Sequence, residues 1–166
     1  LILRPWDLAD APAVRDAFSD PDIQRWHVRA ASSREEVNSW IQTWIGDWSA
    51  GRHAHWAVTD PGTNEVLGRG SIKNLDFASG HGGLAYWTMP DRRRQGVATR
   101  AINALAEWAV HDIGFHRLPL THSVHNLVSC RTAVRTGFAL EGTQRRAGLH
   151  RDGWHDMHLH ARLHDD

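Results

Sequence analysis

A chain of 166 residues, 41% hydrophobic and 23% charged, has enough length to bury one core and is cramped for two. Nineteen basic residues balance nineteen acidic ones, which gives a general polyanion-binding role no support and makes nucleic acid an unexpected partner. The single cysteine, Cys130, excludes an internal disulfide. No apolar run approaches roughly 20 residues and no signal-peptide pattern opens the chain, so a cytoplasmic protein away from the membrane is expected.

Residues 1–4 alternate as a short strand. Asp10 suits a helix N-cap, with Pro12 tolerated in the first turn and Val14, Ala17 and Phe18 facing inward. Ser33 and Glu36 have capping-box spacing for a second helix. Its Val37, Trp40, Ile41, Trp44, Ile45 and Trp48 recur at helical intervals until Gly51. Residues 53–59 and 66–75 alternate as strands around a 61–64 turn. The glycine-rich run 78–83 reads as a hairpin loop, and 84–89 as the next strand. A third helix over 96–112 buries Ile102, Leu105 and Ala109, with Gly114 as its C-terminal cap. A strand at 117–123, a helix at 126–136 ended by Gly137, and a hairpin of 138–149 with 154–163 around Asp152-Gly153 complete the chain. The order β-α-α-β-β-β-α-β-α-β-β predicts one α+β domain over 1–166 with a central mixed sheet.

The stretch 84–105 carries the chemistry. A strand of aromatic and β-branched residues meets a Pro90-Asp91 break, then a basic, glycine-bearing loop that passes directly into the third helix. The first N–H groups of a helix lack intrahelical partners, and the macrodipole adds positive field, so a phosphate placed there gains both. Gly96 and Ala98 lack bulk, and Arg92, Arg93 and Arg94 supply mobile positive charge suited to a pyrophosphate or a ribose phosphate. An arginine-rich solvated turn is the ordinary alternative.

The spacing Arg93-x-x-Gly96-x-Ala98 resembles the acetyl-CoA motif of the GNAT (GCN5-related) N-acetyltransferases. From Tyr86 to Trp108 the chain is similar to the strand and pyrophosphate-loop helix of the RimJ/RimL-like branch. Leu3-Arg4-Pro5, Gly114-Phe115-His116-Arg117, Asn126-x-x-Ser129, Gly137-Phe138 and Leu140-Glu141-Gly142 extend the resemblance over nearly the whole length. It implies a strongly twisted sheet splayed between its fourth and fifth strands, helices on both faces, and the cofactor in the V. It further implies acetyl transfer by direct attack of a primary amine in a ternary complex, without a covalent enzyme intermediate. The partners implied are acetyl-CoA and an acceptor amine, a protein N-terminus or a small molecule; a homodimer is compatible with the sequence.

Carried onto this chain, the unpaired strand edge at Trp87, Thr88 and Met89 meets the pantetheine arm. Arg93, Arg94, Gln95, Gly96, Val97, Ala98 and Thr99 hold the pyrophosphate, and Asn126 touches the arm while capping its helix. Ser129 is the candidate proton donor to the departing thiolate, against an ordinary reading as a polar first-turn residue. The family's usual tyrosine seven residues after the asparagine is Ala133 here, and the glutamate positions of the branch align with Gly83 and Gly148. Histidine is the obvious substitute base. His122 and His125, which straddle the end of the fifth strand, rank first, with His122 taken as the catalytic candidate and His27 behind them, each against a surface or capping role. The pairs His53-x-His55 and His158-x-His160 lack a third ligand at suitable spacing, so no metal is expected. A non-catalytic acyl-CoA-binding regulatory module is the competing reading.

Overall fold

In the computed structural model, which describes residues 1–31 and 33–166, seven strands form one mixed sheet in the order β1-β2-β3-β4-β5-β7-β6. Strand β1 (Ile2–Arg4) leads through a short 3-10 turn, capped by Asp7, into α1 (Ala11–Ser19). Ala11, Val14, Ala17 and Phe18 bury one face of α1 as their spacing requires. A further helix, α2 (Pro21–Arg25), stands in a stretch the periodicity left unassigned. Asp20 caps it by accepting from Ile23 N–H at 2.9 Å, and Pro21 occupies its first position.

In α3 (Arg34–Ser49) Ser33 accepts from Glu36 N–H at 3.1 Å, and Val37, Trp40, Ile41 and Trp44 are buried. Ile45 and Trp48, expected on the same stripe, are exposed. Trp48 instead packs laterally against Trp56 and Trp108, and Asp47 takes the buried position. The core of α1, α3 and Trp87 covers one face of the sheet.

Strands β2 (Ala54–Thr59), β3 (Val66–Asp76) and β4 (His81–Thr88) are antiparallel neighbours. The expected loop at 78–83 is shorter than the sequence suggests, because Gly82 and Gly83 belong to β4. A Cβ at Gly82 would lie 2.4 Å from Ile72 Cγ2 and 2.7 Å from Phe115. Close packing, rather than a turn, requires that glycine.

Helix α4 (Val97–Glu107) continues through a π-helical turn at Trp108–Asp112 to Gly114, whose φ of 81° makes the expected left-handed stop. Strand β5 (Arg117–Ser123), α5 (Leu127–Arg135), and the hairpin β6 (Ala139–His150) and β7 (Gly153–Leu163) follow. Ile102 and Leu105 of α4 share a second core with Leu84, Leu118, Leu120 and Ala133. Helices α4 and α5 therefore cover the face opposite α1 and α3. Among the described residues, no helix is long and apolar enough to cross a membrane.

Candidate active site

Strands β4 and β5 run parallel but pair only at His81 with Arg117 and Leu84 with Leu120. Beyond Leu84 they part, while β4 stays paired to β3 as far as Thr88. The V opens into a cleft of about 890 Å³. Its walls are the end of β4, residues 92–94 and 96 of the loop, the first turn of α4, one face of α5 as far as Arg135, and α2.

Gly96 stands at the N-terminus of α4 with φ 73° and ψ 10°, a left-handed conformation that disfavours any residue with a Cβ. No side chain caps this helix, so the N–H groups of its first turn are left for a ligand. Val97, Ala98 and Thr99 line the cleft beside them, as do Trp87 and Thr88. The structure thus brings most of the expected phosphate and strand-edge residues to one wall.

The arginines behave differently from expectation. Arg92 holds both carboxylate oxygens of Glu65, at 2.8 and 2.7 Å. Arg93 donates to Asp22 at 2.9 Å and to Asp20, the cap of α2. Two of the three therefore carry ion pairs instead of mobile charge, because acidic residues distant in sequence meet the loop. Arg94, with φ 62°, lines the cleft, joined by Arg131 and Arg135 of α5. None of these three has a carboxylate partner among the described residues. Arg131 and Arg135 were missed in the sequence, although their i, i+4 spacing with Leu127 marks a single helix face.

Asn126 caps α5, its Oδ1 accepting from Ser129 N–H at 3.0 Å, and leaves its Nδ2–H groups for the cleft. Ser129 Oγ lies 3.0 Å from Tyr86 Oη, a contact no local pattern announces. Tyr86 is the chain's only tyrosine and stands on the same face of β4 as Leu84, which was the available signal. Burial pushes its phenol up, against hydrogen bonds to Ser129 and Thr132 that pull it down.

Met89, Gln95 and His122 do not line the cleft. Met89 packs into the core against α1 and α3, and Gln95 Nε2 donates to the Asp91 carbonyl at 3.0 Å. His122 is buried between β5 and its neighbours, its Nδ1 2.8 Å from the Ser123 carbonyl. His27 and His125 are the histidines on the cleft wall. Burial first, then Lys73, Arg69 and His150, lower His27 to about 4. The backbone N–H of His125 donates to Ser123 Oγ, which in turn meets His155 Nδ1 at 2.8 Å, and His155 Nε2 lies 2.9 Å from Asp152. At 2% exposure Ser123 is inaccessible as a nucleophile, so this chain of contacts is a strut for His125.

The family model described as "Acetyltransferase (GNAT) domain" matches residues 1–139. The chain belongs to the GNAT acetyltransferases. Among its relatives, an uncharacterized N-acetyltransferase, YoaA, of Bacillus subtilis (strain 168) is 26% identical over 147 residues, 88% of this chain and 83% of that one. The ribosomal-protein-serine acetyltransferase of Escherichia coli (strain K12) is 28% identical over 102 residues, 61% of this chain and 57% of that one. The solved structure of RimL, a ribosomal L7/L12 alpha-N-protein acetyltransferase in complex with coenzyme A, superposes with a TM-score of 0.89 at 22% identity. That superposition covers 97% of this chain and 92% of that one. The GNAT fold and the RimL-like likeness expected from 84–105 are both present, with the parallel β4–β5 pair splayed.

Proposed function

We propose that this GNAT enzyme acetylates the α-amine of a protein or peptide N-terminus, with acetyl-CoA held in the cleft between β4 and β5. The residues present fit that cosubstrate. An uncapped helix N-terminus and three arginines without carboxylate partners among the described residues suit its phosphates, and the free edge of β4 with Asn126 suits its amides.

When bound, acetyl-CoA supplies an activated acyl group. The acceptor nitrogen bonds to the acyl carbon, the carbon–sulfur bond breaks, and the thiolate takes a proton from the Ser129–Tyr86 hydroxyl pair. The proton lost by the acceptor leaves through His125 or water.

One observation carries the choice of acceptor. The cleft wall holds no unpaired carboxylate among the described residues, since its acid, Asp22, is engaged by Arg93. A strong base for a lysine-like amine is therefore missing, whereas an α-amine, with a pKa of about 7.7–8.0, is substantially neutral near pH 8 without help. A polycationic acceptor would also find no acidic wall, and the positive charge of Lys73 reaches His27 on that wall.

Calorimetric titration with acetyl-CoA, CoA and ATP, on the wild type and Gly96→Glu, tests the cofactor reading. Micromolar acetyl-CoA binding, no ATP binding and failure of the variant support it. Thiol release is then followed with peptides starting in Ser, Ala or Met, against lysine-only peptides and spermidine. Faster turnover of the free-N-terminus peptides is expected. Binding without turnover of any amine would leave the non-catalytic module, the reading that Gly83 and Gly148 favour.

A further inference from the structure

Strand pairing joins histidines that the sequence keeps apart. His122 of β5 lies opposite His158 of β7, and His160 stands two residues on, on the same face. Their ring centroids lie 5.4 Å (His122–His158) and 5.1 Å (His122–His160) apart. Cys130 of α5 closes the group, so that one ligand atom from each of the four residues lies within 4.8 Å of the others. The sequence showed only the His158-x-His160 pair, and the remaining two donors come from other elements.

Two carbonyls fix the tautomers. His122 Nδ1 is 2.8 Å from the Ser123 carbonyl and His160 Nδ1 is 3.1 Å from that of Phe138. A carbonyl only accepts, so both Nδ1 atoms carry hydrogen, and in the neutral rings both Nε2 atoms present lone pairs. These two Nε2 atoms and His158 Nδ1 are buried with no hydrogen-bond partner among the described residues. His122 and His160 are 5% and 0% exposed. Buried polar nitrogens ordinarily find a partner, and three orphans in one place point to something that accepts their lone pairs.

We propose that His122, Cys130, His158 and His160 form a binding site for a divalent transition-metal ion of borderline softness, zinc(II) first. Three imidazoles and a thiol suit zinc or cobalt and exclude magnesium and calcium, which require oxygen. With Nδ1–H given to the Ser123 carbonyl, His122 offers its buried Nε2 as the ligand atom. Cys130 binds as the thiolate and gives its proton to solvent. Bond lengths of about 2.0–2.3 Å in a tetrahedron put donors roughly 3.3–3.6 Å apart, so the widest spacing of 4.8 Å closes by roughly 1.2–1.5 Å through the half-buried Cys130 and His158. An Nδ1–H given to a backbone carbonyl is the usual outer support of a metal-bound imidazole. Four protein ligands leave no open position, which makes the site structural. It ties α5, whose first turn presents Asn126 and Ser129 to the cleft, to β5 and β7.

The full chain, stripped with a chelator, is titrated with cobalt(II) chloride and then zinc(II) chloride. One equivalent of cobalt should give a thiolate-to-cobalt band in the near ultraviolet with the intense visible bands of a tetrahedral site, and zinc should displace it. A hundredfold excess of zinc over Kd should raise the melting temperature by roughly 5–10 °C. Cys130→Ser removes the thiolate band. Cys130→Ser and His158→Gln, both at half-buried positions and checked for folding by circular dichroism, weaken zinc binding by more than the roughly 10–100-fold cost of losing an outer partner. His116→Gln, in the exposed His116–His164 pair, leaves both unchanged. Cobalt spectra without a thiolate band, or unaltered zinc affinity in both ligand variants, would overturn the site.

Discussion

Tyr86 Oη and Ser129 Oγ sit 3.0 Å apart at the cleft wall, and either can hand a proton to the other. Because burial holds the phenol above its usual value, Tyr86 stays protonated through neutral pH and can refill Ser129 after the serine has protonated a thiolate, and the phenolate then recovers its proton from solvent. Ser129→Ala and Tyr86→Phe are each expected to lower kcat by roughly 10–100-fold while KM for acetyl-CoA stays within about twofold. The double variant should cost little more than the worse single one, since the hydroxyls act as a unit; steady-state kinetics on the four proteins decides it. A full-rate Ser129→Ala enzyme would remove the serine from the mechanism. Charge at the cleft gives a second test. Arg131→Gln with Arg135→Gln should weaken acetyl-CoA binding by about tenfold and flatten its salt dependence, whereas Arg92→Gln, whose partner is Glu65, should change calorimetric Kd little.

At the scale of elements, α2 does two things at once: its cap Asp20 holds the helix start and, with Asp22, anchors Arg93 of the phosphate loop. Asp20→Ala should cost about 1–2 kcal/mol in urea unfolding and also weaken acetyl-CoA binding, while Asp22→Ala, more exposed, should cost well under 1 kcal/mol. Equal effects would mean that capping plays no part. This helix also shows what was legible. Its Asp20-Pro21 start is a local signal of the kind that placed α3, α5 and the 152–153 turn, yet five residues are too few to show periodicity. Elements set by local chemistry were readable in that way: the Asn126 cap, the Gly114 stop and the β5 boundaries, whereas Gly96 was read for its lack of bulk and not for its left-handed φ. Features set by contacts far along the chain were not. Gly82 reads as loop until Phe115 is seen against it, and Arg93 reads as free until Asp20, 73 residues away, is seen beside it. Alternation along β5 put His122 beneath α5, whereas proximity in sequence suggested the cleft.

Over the whole molecule, buried histidines set the response to acid. His27 is lowered to about 4 and His55 to about 3, in both cases chiefly by burial, and His55 next by the Arg69 charge. The unfolded chain binds protons at these sites near the ordinary imidazole value of 6.5, the folded chain only near 4 or below. Between those values the unfolded state holds more protons, so folding stability is fully present above about 6.5 and falls as pH drops toward 4. For His27 the drop from 6.5 to about 4 sets an upper bound of about 3 kcal/mol, and solvent access to the half-buried ring brings the expectation to roughly 2 kcal/mol. Urea midpoints should therefore decline from pH 7 to pH 4.5, before the exposed carboxylates titrate. His27→Gln should flatten the slope over that window, at the expense of some packing against Phe18, 5.3 Å away. The series is run with a chelator, because release of a metal from His122, His158 and His160 would add acid sensitivity of the same sign. If the His27→Gln midpoint falls as steeply as the wild type's, the acid response lies with His55 and the other buried imidazoles, and His27 is free to titrate in the folded protein.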